Sequence, residues 1–132
     1  MDLPREITDV TEITAELSCD AASAAAARNC IQAALRVWAL DDLADVAILL
    51  TSELVANAVI HARSAIRVVA RRTPPEVVVE VFDASPDLPV PGAGDPGRDG
   101  GRGLLIVDRL ASRWGVEPAE SGKVVWFALR AA

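Results

Sequence analysis

The chain holds one lysine, Lys123, and one histidine, His61, and its longest basic run is the pair Arg71–Arg72. Nonspecific nucleic-acid binding needs several phosphates neutralised together. With a net charge of −6 and a pI near 4.7 the sequence lacks the means, and no nucleic-acid partner is expected. Cysteine is nearly absent: Cys19 and Cys30 form no C-x-x-C pair and read as buried small hydrophobes rather than redox groups. One histidine leaves a structural zinc site almost nothing to be built from. No run approaches the roughly 20 uninterrupted apolar residues of a membrane span. The alanine-rich stretch Ala21–Ala27 follows Glu16 and Asp20, and comes too late and too acidic for a signal peptide. A cytoplasmic protein with no membrane partner is the expectation.

What is present is an apolar chain. At 52% apolar content and a mean hydropathy of +0.29, the 132 residues fill one domain, residues 1–132. A chain this long buries about two thirds of its extended surface and needs no staple to fold. Ile7, Thr11, Ile13 and Leu17 hint at a short first strand. Asp20 or Ser23 is placed to cap a helix in which Ala27, Ile31, Ala34, Leu35 and Trp38 recur at helical spacing. After a break at ALDD, Asp42 with Asp45 resembles a capping box for a second helix running to about Ala62, with Leu43, Val46, Ala47, Leu50, Leu54 and Ala58 as its core stripe.

Ala65–Ala70 and Val77–Phe82 are β-rich runs joined by RRTPPE, a hairpin. Residues 84–102 then carry Pro86, Pro89, Pro91 and Pro96 among glycines with no apolar period. A loop of this length in a compact domain is expected to be a lid or binding loop. A short helix from Gly103 to about Ala111 and the strands Trp114–Val116 and Val124–Leu129 complete the chain. This order favours a two-layer α/β sandwich with one sheet face covered by helices.

Three polar features stand out. ELVANAVIH places Glu53, Asn57 and His61 at four-residue spacing, so they stack on one helix face within apolar flanks. A glutamate beside a core stripe can have its proton affinity tuned, and an amide oxygen is a hard ligand suited to magnesium. His61 reads more readily as a helix-end or packing residue than as a catalytic one. Asp83 ends the run VVVEVF, where it is either a turn residue or an acceptor for an exocyclic amine. Gly101-Arg102-Gly103 sits where a helix begins, as a connector or as a cradle of unpaired N–H groups for anionic oxygens. Neither the P-loop nor the dinucleotide fingerprint is matched. Taken in order, these features read as base, metal ligand, amine acceptor and phosphate cradle for a purine nucleotide.

ELVANAVIHA, VEVFDASPDLPVP, GRGLLIVDRLASRWGV and GKVVWFAL resemble the successive boxes of the histidine-kinase-like ATPase superfamily. They look specifically like those of the small bacterial anti-sigma-factor serine/threonine kinases, the RsbW/SpoIIAB-like family, over about Cys19 to Leu129. The resemblance implies a mixed, mainly antiparallel sheet covered on one face by helices, the Bergerat-type ATP-binding fold. It implies ATP and Mg2+ as cofactors, Glu53 as the base that activates the attacking hydroxyl, Asn57 as the magnesium ligand and Asp83 as the acceptor for the adenine amine. Gly101, Gly103 and the adjoining Leu104 belong to the lid and its helix start, and Arg98 and Arg102 are the basic candidates for γ-phosphate charge. Implied partners are a small antagonist protein that accepts the phosphate and a sigma factor; relatives form dimers, so a homodimer is open. Two departures are visible: Asp83-Ala84-Ser85-Pro86-Asp87 lacks the glycines of D-x-G-x-G, and Val124 stands where a threonine hydroxyl near the adenine is usual. Two further classes therefore stay open, a regulatory ATP binder without turnover and a nucleotide-independent interaction module.

Overall fold

The computed structural model describes residues 11–20, 22–62, 65–85 and 101–131. In chain order it contains strand β1 (Glu12–Leu17), helix α1 (Ser23–Val37), a single 3-10 turn (Asp41–Leu43), helix α2 (Ala44–Ala62), strands β2 (Ile66–Thr73) and β3 (Glu76–Asp83), helix α3 (Gly101–Leu110), and strands β4 (Arg113–Ala119) and β5 (Gly122–Arg130). The five strands form one sheet in the order β1-β2-β3-β5-β4, and each neighbouring pair is antiparallel. The expected two-layer sandwich is what forms.

Alternation along the strands explains why one face takes the helices. In β3, Val77, Val79 and Val81 are buried, with Val125, Phe127 and Leu129 as their β5 partners. They meet Ala27, Ile31, Ala34 and Leu35 of α1, Ala47, Leu50, Leu54, Val55 and Ala58 of α2, and Leu104 and Val107 of α3 in one core. Each fully buried leucine or valine contributes about 1.5–3 kcal/mol, so this cluster dominates stability. The other face carries charged side chains that partner one another. Arg71 pairs with Glu12 and Glu80, Arg113 pairs with Glu76, and the Arg67 and Arg113 guanidiniums lie 4.3 and 5.2 Å from the ring centroids of Phe82 and Trp126. Gly115 faces Trp126, and a Cβ there would stand 2.8 Å from the indole Nε1, so only glycine lets the indole lie against β4.

Several local expectations change. Neither Asp20 nor Ser23 caps α1: Asp20 accepts from the Ala22 N–H at 2.8 Å, Ser23 donates to the Ser18 carbonyl, and the N-cap is Ala22. Asp42 lies inside the 3-10 turn rather than capping α2. What stops α1 is a Schellman turn, with Leu40 N–H donating to Leu35 O at 2.8 Å, Ala39 N–H donating to Arg36 O at 3.1 Å, and Ala39 at φ 56 where glycine is usual. Strands β2 to β5 run longer than their apolar runs, because arginine and glutamate on the far face extend the ladders. α3 begins at Gly101, two residues before its expected start. Cys19 and Cys30 are half-buried free thiols rather than buried ones; Cys19 donates to the Val59 carbonyl at 3.6 Å, and burial pushes the Cys30 thiol up. Residues Asp41–Ile60, though interrupted by acidic residues, are long and apolar enough by composition for a membrane span, at a mean hydropathy of 1.8. They carry the central stripe of the core, from Ala47 to Ala58.

Candidate functional site

The strand register decides what surrounds Asp83. It is the last residue of β3, on the helix-covered face, and Lys123 is its partner across β5. Lys123 Nζ donates to Asp83 Oδ1 at 2.9 Å, and both side chains are 2% exposed. The same oxygen accepts the Ser85 N–H at 2.8 Å, closing an Asx turn. Asp83 is thus both turn residue and inward carboxylate: Oδ1 is spent on the protein, and Oδ2 has no donor among the described residues. An ion pair so deeply buried is held by low dielectric and short geometry, and losing either partner strands a charge. Gly122 makes the approach possible, since a Cβ there would stand 2.0 Å from the Asp83 carbonyl oxygen.

Strand parity also settles Val124. It pairs with Phe82 on the far face, so the missing threonine hydroxyl is not a gap beside Asp83. The residue that faces Asp83 is Lys123, which none of the sequence motifs singles out. A signal was there: Lys123 shares parity with Val125, Phe127 and Leu129, which turns it inward.

On α2, Glu53 lies against the start of α3. A Cβ on Gly103 would stand 2.9 Å from Glu53 Oε2 and 3.4 Å from Glu53 Cβ, so the glycine is what admits the carboxylate to the first turn of α3. Leu104, the next residue, is 1% exposed and anchors that turn in the core. Its side chain serves the core, which leaves its backbone N–H in the first turn of α3 as the group that could face a phosphate. One turn along α2, Asn57 is 5% exposed, and its Oδ1 has no hydrogen-bond partner among the described residues. A buried acceptor without a donor is costly unless something outside the chain satisfies it. An amide oxygen in that state fits a hard cation such as magnesium. Among the described residues no group of His, Cys, Asp or Glu could hold a metal by itself, so a cation at Asn57 would need ligands from elsewhere, such as phosphate oxygens.

The structure brings Glu53 to Gly103 and Asp83 to Lys123 and Ser85, all on the helix-covered side, where α2 packs on both α3 and β3. No hydrogen bond joins the two groups among the described residues. Arg98 lies outside the described residues, as does most of the 84–102 loop; Gly101, Arg102 and His61 are described as helical backbone only. A cavity of about 550 Å³ at the same end of the sheet is lined by Glu16, Arg67, Phe82, Asp83, Glu120 and Gly122 among others, and includes neither Glu53 nor Asn57. Glu16, Arg67 and Phe82 put most of its lining on the far face, and it shares Asp83 with the site described above.

No curated protein matches the chain. The family model described as the histidine kinase-like ATPase domain matches residues 17–129, from the end of β1 to the end of β5 and across every residue of the site, and the chain belongs to that family.

Proposed function

We propose that the chain is an ATP-dependent protein serine/threonine kinase of the anti-sigma-factor type, which transfers the γ-phosphate of ATP to a hydroxyl of a small antagonist protein and also binds a sigma factor. The observation that carries this is the Glu53–Gly103 contact one turn from the orphan oxygen of Asn57. A carboxylate beside a helix start, one turn along α2 from an unsatisfied amide oxygen, supports the reading, because the unpaired N–H groups of such a start suit phosphate.

In this reading Asp83 Oδ2 accepts the adenine amine, and Asn57 holds magnesium, which supplies charge neutralisation on the phosphates. Glu53 orients the incoming hydroxyl and takes its proton. Gly101, Arg102 and Gly103 admit the phosphates, with Arg98 and Arg102 as sources of positive charge. Positioning and electrostatics then do most of the work, as is general for phosphoryl transfer. A cytoplasmic location and a homodimer belong to the same proposal.

The test is radiolabel transfer from ATP to an antagonist that the protein demonstrably binds. Glu53→Gln keeps size and hydrogen bonding but loses the base, so nucleotide affinity should survive while transfer falls about 10²-fold. Transfer at the wild-type rate would remove Glu53 from the chemistry. The Asp83–Lys123 pair favours a second reading, a module that binds protein without nucleotide, because half of the carboxylate is already engaged. Failure of the folded protein to bind ATP would favour that module.

A further inference from the structure

Lys123 is 2% exposed, and one of its three N–H bonds goes to Asp83 Oδ1. Among the described residues no other acceptor lies within hydrogen-bond reach of its Nζ. Asp83 Oδ2 likewise has no donor among the described residues. Two buried, adjacent groups therefore keep spare capacity of opposite kind: a carboxylate oxygen that accepts only, and an ammonium that donates only. A water pair could fill one such gap, but the combination has a direct counterpart in a ligand edge that offers a donor beside an acceptor.

We propose that Lys123 is a specificity-determining residue, and that Asp83 Oδ2 and Lys123 Nζ together read the base edge of the nucleotide. Oδ2 accepts from the exocyclic amine and Nζ donates to the neighbouring ring nitrogen. This rests on the nucleotide reading above. Adenine carries that pattern, an amine donor at N6 next to an acceptor at N1. Guanine presents the inverse at both positions, a carbonyl at C6 that meets the carboxylate and an N1–H that meets the ammonium. Both contacts then become repulsive, so the pair discriminates more sharply than Asp83 alone. Sites built to hydrogen-bond a substrate group reject the analogue lacking it far more strongly than apolar pockets reject a misfit.

The experiment is titration of the wild-type chain, with magnesium, by ATP and by 1-deaza-ATP, in which a C–H replaces N1 and the amine is kept. Affinity for 1-deaza-ATP should be about tenfold lower or weaker still, the scale of one lost hydrogen bond to a charged group. The same pair of ligands on Lys123→Met, and on Asp83→Asn/Lys123→Met in case the single variant does not fold, should show a ratio near one. Equal affinities in the wild type overturn the role of Lys123 while leaving ATP binding in place. A ratio that persists without the lysine overturns it as well, since another group then reads N1. If folded wild type binds neither ligand, the nucleotide reading fails and takes this one with it.

Discussion

Removing either member of the Asp83–Lys123 pair should destabilise the fold more than removing both. Each side chain is 2% exposed, so water cannot move in to screen a charge left alone. Breaking a buried pair by deleting one partner costs about 3–5 kcal/mol, whereas replacing both with groups of similar shape is often neutral. Asp83→Asn keeps the acceptor for the Ser85 N–H and strands the ammonium; Lys123→Met keeps the aliphatic stem and strands the carboxylate. Asp83→Asn/Lys123→Met strands neither and should cost less than either single change. Urea denaturation followed by tryptophan fluorescence gives all four free energies. Residues in one hydrogen-bonded pair are expected to be non-additive. Single variants costing under about 1 kcal/mol, or a double variant equal to the sum of the two, would refute a buried ion pair between β3 and β5. The cycle also bears on nucleotide work, because a loss of ATP binding in Asp83→Asn is interpretable only where that variant is shown to be folded.

Gly103→Ala should push the Glu53 carboxylate aside, since the new Cβ meets Oε2 at 2.9 Å, while the flexible tip gives way and alanine favours the helix. Melting temperature should hold and phosphate transfer should fall about tenfold; unchanged transfer would mean the Glu53 position is not used. The hydrogen bond from Arg113 holds the Glu76 carboxyl below its ordinary value of 4.5. Because the folded value is depressed, the stability it adds is complete above the unfolded value and is lost as pH falls through the folded one. Between about pH 5 and pH 3 the urea midpoint of the wild type should therefore drop more steeply than that of Arg113→Met; parallel curves would count against the pair.

The elements that were legible in the sequence are those with an unmixed period. The stripes of α1 and α2 and the alternation in β3 follow directly from apolar spacing, and Leu104 and Val107 turn inward on α3 as their spacing requires. Boundaries were less legible. Ala39 stops α1 with a positive φ that no glycine announces, and Arg71 and Arg113, paired with glutamates on the far face, carry β2 and β4 past the point where hydrophobicity ends. In the site, Glu53 and Asn57 were marked by polar residues repeating inside an apolar helix, and Asp83 by its place at a strand end. Lys123 was not marked, because a lysine beside a turn reads as solvated until the antiparallel register puts it opposite a carboxylate. The facing of Val124 is illegible for the same reason: it depends on parity within a pair of strands, which a motif box does not carry.

The role of Asn57 is the most direct point of test. Titration of the wild type with ATP by calorimetry, with and without magnesium, followed by the same pair of titrations on Asn57→Ala, separates nucleotide contact from metal contact. The buried Oδ1 has no partner among the described residues, so its removal costs the protein no internal hydrogen bond. The wild type should bind ATP more tightly with magnesium, and Asn57→Ala should lose that increment while its metal-free affinity stays about the same. No ATP binding by the folded wild type, or a magnesium increment that survives intact in Asn57→Ala, would contradict a nucleotide site built on this helix face.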